Sequence, residues 1–278
     1  MAAKKEKKKR TAGDIIRTLI LIVALGVFCY SGYRLISIYL EYKKGSDEYS
    51  SLEDQYTVDL MNQEIQIDEV SGEPVMKSPV DFDSLTKLNS DIIGWLKVEA
   101  LDISYPLAQG EDNDFYLHNT FQKTPNIAGC IFLDRENKKD FSDKNSIIYG
   151  HNMRNGSMFG KLKKFYEDGV FEKSPYFWIY TPEKIYKYEI FACHEVGYTS
   201  KTYQLSFQDD ADFMEYIKEA FEHSVVQSKA SVSAEDTVVT LSTCTGNAST
   251  RFIVQGKRIE TYTALREDTP QKETRDNP

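Results

Sequence analysis

Cysteine and histidine are scarce in this chain of 278 residues, which contains four of each. No two cysteines are close enough to form a C-x-x-C motif, and this absence argues against a structural zinc site. Cys29 lies in an apolar run, and the other three, Cys130, Cys193 and Cys244, are an odd number, so at least one thiol has no partner within the chain. We expect neither a metal nor another cofactor.

Basic residues are also scarce beyond the N-terminus. The first 40 residues contain eight Lys/Arg and two acidic residues, whereas the remainder contains 26 basic and 41 acidic residues. Because contacts with phosphates need basic surfaces, this acidic body argues against nucleic acid as a partner. The low content of proline and glycine, together with 41% hydrophobic residues, excludes a mainly disordered chain and allows one sizeable core.

Long apolar runs are absent after residue 40. Before that point, residues 18–33 form one apolar run without a charged residue. As a helix this run is ~24 Å long, and snorkelling by Arg17 and Arg34 makes up the difference to the hydrocarbon core. The basic cluster at residues 4–10 keeps the N-terminus cytoplasmic, and no small-residue cleavage site follows the run. The sequence therefore predicts an uncleaved single-pass anchor in the cytoplasmic membrane, with the body of the protein outside.

The rest of the chain divides by periodicity and composition. Residues 35–63 have an amphipathic helical pattern, whereas residues 65–80 lose it and contain one glycine and two prolines. The predicted segments are a cytoplasmic basic tail at 1–14, the transmembrane anchor at 15–34, a juxtamembrane helix and linker at 35–80, the folded domain at 81–265 and a polar, disordered tail at 266–278.

Short segments rich in β-branched and aromatic residues predominate after residue 93. Apolar residues at helical spacing predict helices at 82–93 and 209–224. Because the strands adjoin one another with few crossover helices, the pattern favours a largely antiparallel barrel or sandwich. The predicted strands are 94–98, 103–106, 129–133, 146–149, 177–180, 185–194, 237–243 and 251–261.

Cys244 lies at the end of a predicted strand, and a six-residue loop separates it from Arg251, where the next strand begins. If the two strands form a hairpin, the thiol and the guanidinium lie at its two loop-proximal ends. A nearby cation favours the thiolate and stabilises an oxyanion, as a nucleophilic cysteine requires. The alternative interpretation is a small buried cysteine beside a solvated arginine.

A general base for such a site would be one of the four histidines. His151 comes just after a predicted strand and before a loop, where catalytic side chains tend to lie. His118 lies in a polar loop, His194 lies in or just after a strand, and His223 ends a helix. Position alone ranks His151 first and His118 second, so these patterns by themselves indicate no more than a Cys/His site.

Several segments resemble the sortases, and class B sortases in particular. Residues 240–244 (TLSTC), followed by Arg251, resemble the TLxTC signature of the family, and residues 150–152 (GHN) resemble its histidine segment. The resemblance covers about residues 82–262. The segments that are similar to class B are 112–117 (DNDFYL), 129–134 (GCIFLD) and the helix at 209–224, which resembles the helical insertion of that class.

The resemblance implies a mostly β fold, a closed sortase-type barrel of about eight strands, with N-terminal helices and a helix inserted before the catalytic cysteine strand. It implies a cysteine transpeptidase and endopeptidase of a Gram-positive cell wall. Cys244 would attack a Thr–Gly type bond in the C-terminal sorting motif of a secreted protein and form a thioacyl enzyme. An amine of a peptidoglycan precursor or cross-bridge would then take the acyl group. His151 would exchange protons with the leaving and incoming amines, and Arg251 would hold the substrate and the oxyanion.

The resemblance also implies positions along the substrate groove. These are Ser242, Asn113 and Leu117 and, in the loop before the inserted helix, Tyr203 and Leu205. Cys130 stands where class B usually has a small polar residue. We expect a buried reduced thiol there, and a disulfide with Cys193 is the alternative.

Three other functions remain open at this stage. A papain-like peptidase would place its cysteine at the N-terminus of a helix, whereas Cys244 ends a strand. A membrane-tethered binding or adhesion module would use Cys244 and His151 only as structural residues. A sortase of another class, such as a pilin polymerase, often has a second membrane helix near its C-terminus, and the sequence has no such run after residue 40.

Overall fold

The first described element is a long helix. The computed structural model describes residues 12–58, 65–69 and 72–265. Helix α1 runs from Ala12 to Tyr56, and the chain falls into two compact units that divide between Lys44 and Gly45. Among the described residues, α1 is the one helix long and apolar enough to cross a membrane. It contains the predicted anchor. Residues 1–11 of the predicted tail at 1–14, and the whole predicted tail at 266–278, lie outside the described residues.

The second unit is built on one sheet of ten strands in the described residues. Eight strands follow one another in the order β10-β8-β7-β3-β4-β5-β6-β9, and β9 pairs with β10 and closes the ring. The closed eight-stranded barrel with added helices confirms the predicted fold. The strands are β1 (Ile65–Ile67), β2 (Pro74–Lys77), β3 (Ile92–Val98), β4 (Ile103–Ala108), β5 (Ile131–Leu133), β6 (Asn145–Tyr149), β7 (Tyr176–Tyr180), β8 (Lys184–Gly197), β9 (Val238–Cys244) and β10 (Thr250–Leu265).

Strands β1 and β2 lie in the segment that the sequence predicts to be a linker. They pair with each other in antiparallel fashion, and β2 pairs in parallel with the end of β10, where Val75 lies opposite Thr263. Val75 and Met76 are buried. The sequence does not reveal these strands because they are only three or four residues long and because β10, the strand that joins β2 to the sheet, is nearly 190 residues away.

The predicted helix at 82–93 is wrong in its second half. Helix α2 runs only from Phe82 to Leu88, and Ile92 and Ile93 belong to β3. Asn89 ends the helix in an extended conformation, and its side chain donates to Phe121 O at 2.7 Å. Both isoleucines are buried, so their apolar character reflects the barrel core and not a helical face.

The helix inserted between β8 and β9 confirms its prediction. Helix α5 runs from Asp210 to His223, and the Asp209 carboxylate caps it by accepting from Asp212 N at 2.9 Å. Its buried face packs on Phe191, Ala192 and Val238 of the barrel. Burial contributes about 1.5–3 kcal/mol for each large apolar side chain. The shorter helices are α3 (Phe115–His118), α4 (Val170–Lys173) and 3-10 turns at Glu99–Leu101, Leu162–Tyr166 and Lys201–Tyr203.

Candidate active site

The hairpin of β9 and β10 brings Cys244 and Arg251 together. They are direct partners in the antiparallel register, next to the loop at 245–249 that joins the two strands. Opposed Cα atoms in such a pair are ~4.5–5.5 Å apart. The six residues of β9 before Cys244 are buried, whereas Cys244 itself is exposed. The thiol therefore emerges from the barrel at its edge, beside the arginine.

His151 reaches the same edge because β6 runs parallel to β9. Tyr149 is the partner of Ser242, and Gly150 N donates to Ser242 O at 3.2 Å. Two residues beyond Tyr149 the chain reaches His151, and two residues beyond Ser242 strand β9 ends at Cys244. Strand pairing thus places the histidine and the cysteine at neighbouring positions of one barrel end.

One nitrogen of the His151 ring is held by the backbone. Nε2 lies 2.7 Å from Leu117 O. A carbonyl oxygen only accepts hydrogen bonds, so Nε2 carries the hydrogen. In a neutral imidazole this leaves Nδ1 as the nitrogen that accepts a proton. Leu117, for which the resemblance to class B sortases implies a position in the substrate groove, therefore also orients the histidine through its carbonyl group.

Gly129 supports this arrangement from behind. Its φ is +58°, and a Cβ there would lie 2.9 Å from His151 Cδ2 and 3.0 Å from Leu117 O. Tyr49, near the C-terminal end of α1, donates from its hydroxyl to Gly129 O at 2.5 Å. Sequence analysis did not identify Tyr49, because an amphipathic helix pattern does not show which residue it will contact 80 positions later.

Arg251 and Lys163 hold the loop that follows Cys244. Arg251 Nη1 donates to Ala248 O at 3.0 Å and to Thr250 O at 2.8 Å. Lys163 Nζ donates to Thr245 O at 2.8 Å. Within the described part of the chain, Nε and Nη2 of Arg251 donate to no protein acceptor, so this edge of the guanidinium can bind a substrate oxygen.

A row of polar and aromatic groups extends from Ser242 across β6. The Ser242 and Tyr203 hydroxyls are 2.7 Å apart, and the Tyr203 ring stacks on Tyr149 with centroids 6.4 Å apart. Tyr149 donates to Asp134 Oδ2, as does Asn113 Nδ2, each at 2.9 Å. Burial raises the pKa of Tyr203 and of Tyr149, so both phenols stay protonated. Neither Tyr149 nor Asp134 was predicted as a site residue, although Asp134 ends the segment 129–134 that resembles class B sortases.

The remaining predicted groove residues have different surroundings. Both polar atoms of the Asn113 amide are used internally, since Arg135 N also donates to its Oδ1 at 2.8 Å. Leu205 is half-buried just after the 3-10 turn at Lys201–Tyr203. Asn113 thus fixes the segment around Asp134, and Leu205 offers an apolar side chain next to Tyr203.

The other histidines have different settings. The His118 side chain is 71% exposed and pairs with Asp114 at 3.7 Å. His223 is exposed and donates from Nδ1 to Glu219 O at 2.8 Å. His194 is buried on β8. His151 is therefore the histidine that strand pairing brings next to Cys244.

The other cysteines are free thiols in three different places. Cys29 is an exposed residue of α1, whereas Cys130 and Cys193 are buried. Burial raises the pKa of Cys130 to about 12 and that of Cys193 well above its usual range. In the described residues, no group of three or more His, Cys, Asp or Glu side chains could hold a metal ion.

Comparison with known proteins identifies one family. The family model described as Sortase domain matches residues 96–259. Sortase B of Listeria monocytogenes is 34% identical over 241 residues, which are 86% of this chain and 94% of that protein. Sortase B of Bacillus anthracis, solved in complex with AAEK1, has a TM-score of 0.67 at 27% identity and covers 80% of this chain and 100% of its own. A Staphylococcus aureus sortase B–substrate complex has a TM-score of 0.66 at 25% identity, over 80% and 99% of the two chains.

Proposed function

Because this chain belongs to the sortase family, in class B, we propose that Cys244, His151 and Arg251 are the residues that carry out its cysteine transpeptidase reaction. The observation that carries this proposal is the common edge of β6, β9 and β10. Cys244 and Arg251 are strand partners there, and His151 leaves the neighbouring parallel strand at the same level. Cys244 is also the exposed cysteine of the barrel unit.

The first half of the reaction acylates the enzyme. The Cys244 thiolate attacks the carbonyl carbon of a Thr–Gly type bond in a C-terminal sorting motif, and a C–S bond forms. The negative charge on the carbonyl oxygen is stabilised by Nε and Nη2 of Arg251, because Nη1 is held by the loop carbonyls. The C–N bond then breaks, and protonated His151 gives its proton to the leaving amine.

The second half transfers the acyl group. An amine of a peptidoglycan precursor or cross-bridge attacks the thioester, gives a proton to His151, and displaces the Cys244 thiolate. A C–N bond forms as the C–S bond breaks, so the enzyme returns to its starting state. Since Leu117 O holds Nε2 of His151, we assign both proton transfers to Nδ1.

The groove that receives the sorting motif lies on the β6 side of the thiol. Ser242 and Tyr203 present hydroxyl groups beside Cys244, and Leu117 and Leu205 add apolar surface. Asn113 acts indirectly, by holding Asp134 and Arg135. The sortase B–substrate complex of S. aureus supports a substrate site in a barrel of this kind.

The long helix α1 supports a membrane location. Its apolar part is exposed and long enough to cross a bilayer, and the basic residues before it favour a cytoplasmic N-terminus. The barrel would then lie outside the cell membrane, where exported proteins with sorting signals and the cell-wall amines are both present.

A peptide-library assay tests this proposed function and identifies the motif. The full chain in detergent micelles is mixed with fluorogenic peptides, with and without an amine acceptor. We expect one motif to be cleaved and, with the amine, ligated. Cys244→Ala should abolish both reactions, whereas the matched variant Cys193→Ala, whose thiol is buried, should retain them. Turnover by Cys244→Ala, or loss of turnover in both variants with the fold intact, would overturn the assignment.

A further inference from the structure

The C-terminal end of α1 packs on the barrel close to the segments that surround His151. Its buried residues are Gly45, Tyr49 and Leu52. Residues three and four apart share one face of a helix, so these three form the face of α1 that contacts the barrel. A Cβ at Gly45 would lie 2.9 Å from Asn126 Oδ1, so this face is tightly packed against the loop before β5. From Tyr49, two separate routes of contacts lead to the histidine.

The first route begins at the Tyr49 hydroxyl, which is used both as a donor and as an acceptor. It donates to Gly129 O at 2.5 Å and accepts from Phe121 N at 3.1 Å. It therefore ties together the two halves of the loop that connects α3 to β5. Burial raises the pKa of Tyr49, so the phenol keeps the proton that the donation to Gly129 needs.

Gly129 continues the first route to the histidine. Its φ is +58°, and a Cβ there would lie 2.9 Å from His151 Cδ2 and 3.0 Å from Leu117 O. Leu117 O is the group that accepts from Nε2 of the ring. Cys130 N donates to Tyr116 O at 2.8 Å, which fixes the backbone just before Leu117. A shift of Gly129 would therefore move the ring, its acceptor, or both.

The second route begins at the Tyr49 ring. This ring packs edge-on against Tyr105 of β4, with centroids 5.3 Å apart and planes at 87°. The Tyr105 hydroxyl accepts from Met158 N at 2.9 Å. Met158 has a φ of +53°, which a residue with a side chain rarely adopts, so this contact helps to hold its backbone. The next residue, Phe159, donates from N to His151 O at 3.0 Å. The second route thus holds the backbone of the histidine.

We propose that Tyr49 is a positioning residue for His151, which it holds from two sides through Gly129 and Tyr105. The hydroxyl route fixes the ring and its hydrogen-bond acceptor, and the ring route fixes the backbone. Proton exchange depends on the position of the exchanging group, so a small displacement lowers the rate. This inference rests on the proposed role of His151. It makes the helix that contains the predicted membrane anchor a part of the reaction machinery, although Tyr49 itself is buried.

Tyr49→Phe in the full chain tests the hydroxyl route, because it removes the two hydrogen bonds and keeps the ring. We expect kcat for cleavage of the sorting peptide to fall about fivefold, as a displacement of less than about 1 Å predicts. KM should change less than kcat, because the Ser242 and Tyr203 hydroxyls of the groove are untouched. Leu52→Ala is the matched control, since it removes a buried side chain from the same face of α1. It should lower the melting temperature at least as much and leave kcat unchanged.

A double-mutant cycle distinguishes positioning from a general loss of stability. In the His151→Ala background, Tyr49→Phe should no longer lower the rate, because the ring that it positions is absent. Tyr105→Phe tests the second route in the same way, since it removes the acceptor of Met158 N. It should lower kcat with His151 present and have no effect without it.

Nitrogen NMR of the histidine rings gives a readout that needs no activity. Spectra of Cys244→Ala are recorded with and without Tyr49→Phe, at a pH where the rings are neutral. With Tyr49 present, the His151 signals should show the hydrogen on Nε2, as its contact with Leu117 O requires. Tyr49→Phe should add a population with the hydrogen on Nδ1. The signals of His118, whose side chain is 71% exposed, should be the same in both samples.

The outcomes separate this inference from the proposed function. An unchanged kcat in Tyr49→Phe, an equal fall in Leu52→Ala, an undiminished effect in the His151→Ala background, or unchanged His151 signals would each overturn the positioning role of Tyr49. Those results would leave the assignment of the nucleophile and of His151 as it stands. Full activity of His151→Ala would overturn the proposed function and this inference with it.

Discussion

Two places in the barrel each contain a cysteine and a histidine, and they differ in burial and geometry. Cys244 is exposed at the end of β9, and half-buried His151 follows the neighbouring strand. Cys193 and His194 are consecutive residues of β8, and both are buried. Consecutive strand residues point to opposite faces, so the second pair does not form a site.

The difference shows how position decides the chemistry of identical residue types. Burial raises the pKa of Cys193 and lowers that of His194 to about 4, so both are neutral near pH 7 and unsuited to proton exchange. Cys244 instead has the Arg251 guanidinium as its strand neighbour, and Leu117 O orients the ring of His151. Changes at the barrel edge should therefore alter kinetics, whereas changes at the β8 pair should alter stability.

The largest effect in this comparison is expected for His151→Ala. Removing the group that exchanges protons should lower kcat/KM for the sorting peptide by roughly 10²–10⁴-fold. The fold should be unaffected, because the ring has one hydrogen bond, to Leu117 O. A peptide-cleavage assay measures kcat/KM, and thermal melts measure the stability of the fold. His118→Ala is the matched control, since that side chain is 71% exposed. Equal losses in the two variants would contradict the role of His151.

Arg251→Ala should come next, with a loss of about 10²–10³-fold in kcat, as is usual for an oxyanion donor. Arg251→Lys keeps the charge but not the fork that binds Ala248 O and Thr250 O together. We expect it to recover only part of the rate. Steady-state kinetics of both variants provide the measurement. If lysine restored full activity, charge alone would be the contribution of Arg251.

Gly129→Ala should produce a smaller kinetic loss, about tenfold in kcat. A Cβ there would come within 3.0 Å of both His151 and Leu117 O, so it must displace the ring or its partner. Gly197→Ala is the control, because a Cβ at Gly197 would meet nothing within 4 Å. Measurement of kcat at saturating peptide for the two variants tests whether Gly129 helps to position His151. A normal kcat for Gly129→Ala would show that the backbone does not position His151.

Of the two buried β8 residues, Cys193 and His194, the histidine should affect how the stability of the fold depends on pH. The folded pKa of His194 is about 4, below its ordinary value of 6.5, so the unfolded chain binds the proton more tightly. Its contribution to stability is complete above pH 6.5 and is lost as the pH falls towards 4. We expect a decline on the order of 3 kcal/mol from this residue.

Urea unfolding between pH 7 and pH 4 measures this decline. His194→Gln should flatten the curve, and His118→Gln should not. The titratable groups around His194 are His223, Glu195 and Glu219. A curve for His194→Gln that stays parallel to wild type would show that one of these groups, and not His194, causes the decline.

Local patterns were sufficient for much of the fold and for the hairpin that pairs Cys244 with Arg251. Each predicted barrel strand is present with shifted ends, because alternation and β-branched residues reflect the burial of the sheet. The six residues between Cys244 and Arg251 predicted a hairpin loop, and the structure pairs the two residues across it. The end of α2 was misplaced because apolar residues such as Ile92 look alike in a helix and in a buried strand.

The supporting residues of the site were beyond sequence reasoning for a physical reason. Tyr49 contacts Gly129, and Lys163 contacts Thr245, across about 80 residues in each case. Such contacts depend on how distant elements pack, and no local pattern encodes them. The cavity that His194 and Gln255 both line is similar, since only the pairing of β8 with β10 brings these two residues together.

Mass-spectrometric peptide mapping of a trapped acyl enzyme tests the central assignment most directly. The full chain is mixed with a peptide substrate, quenched with acid and digested, and the adduct is mapped among the four cysteines. The assignment of Cys244 as the nucleophile predicts a thioacyl adduct on the peptide that contains Cys244, which triglycine removes if added before the quench. An adduct on Cys29, Cys130 or Cys193, or turnover with no adduct at Cys244, would contradict it.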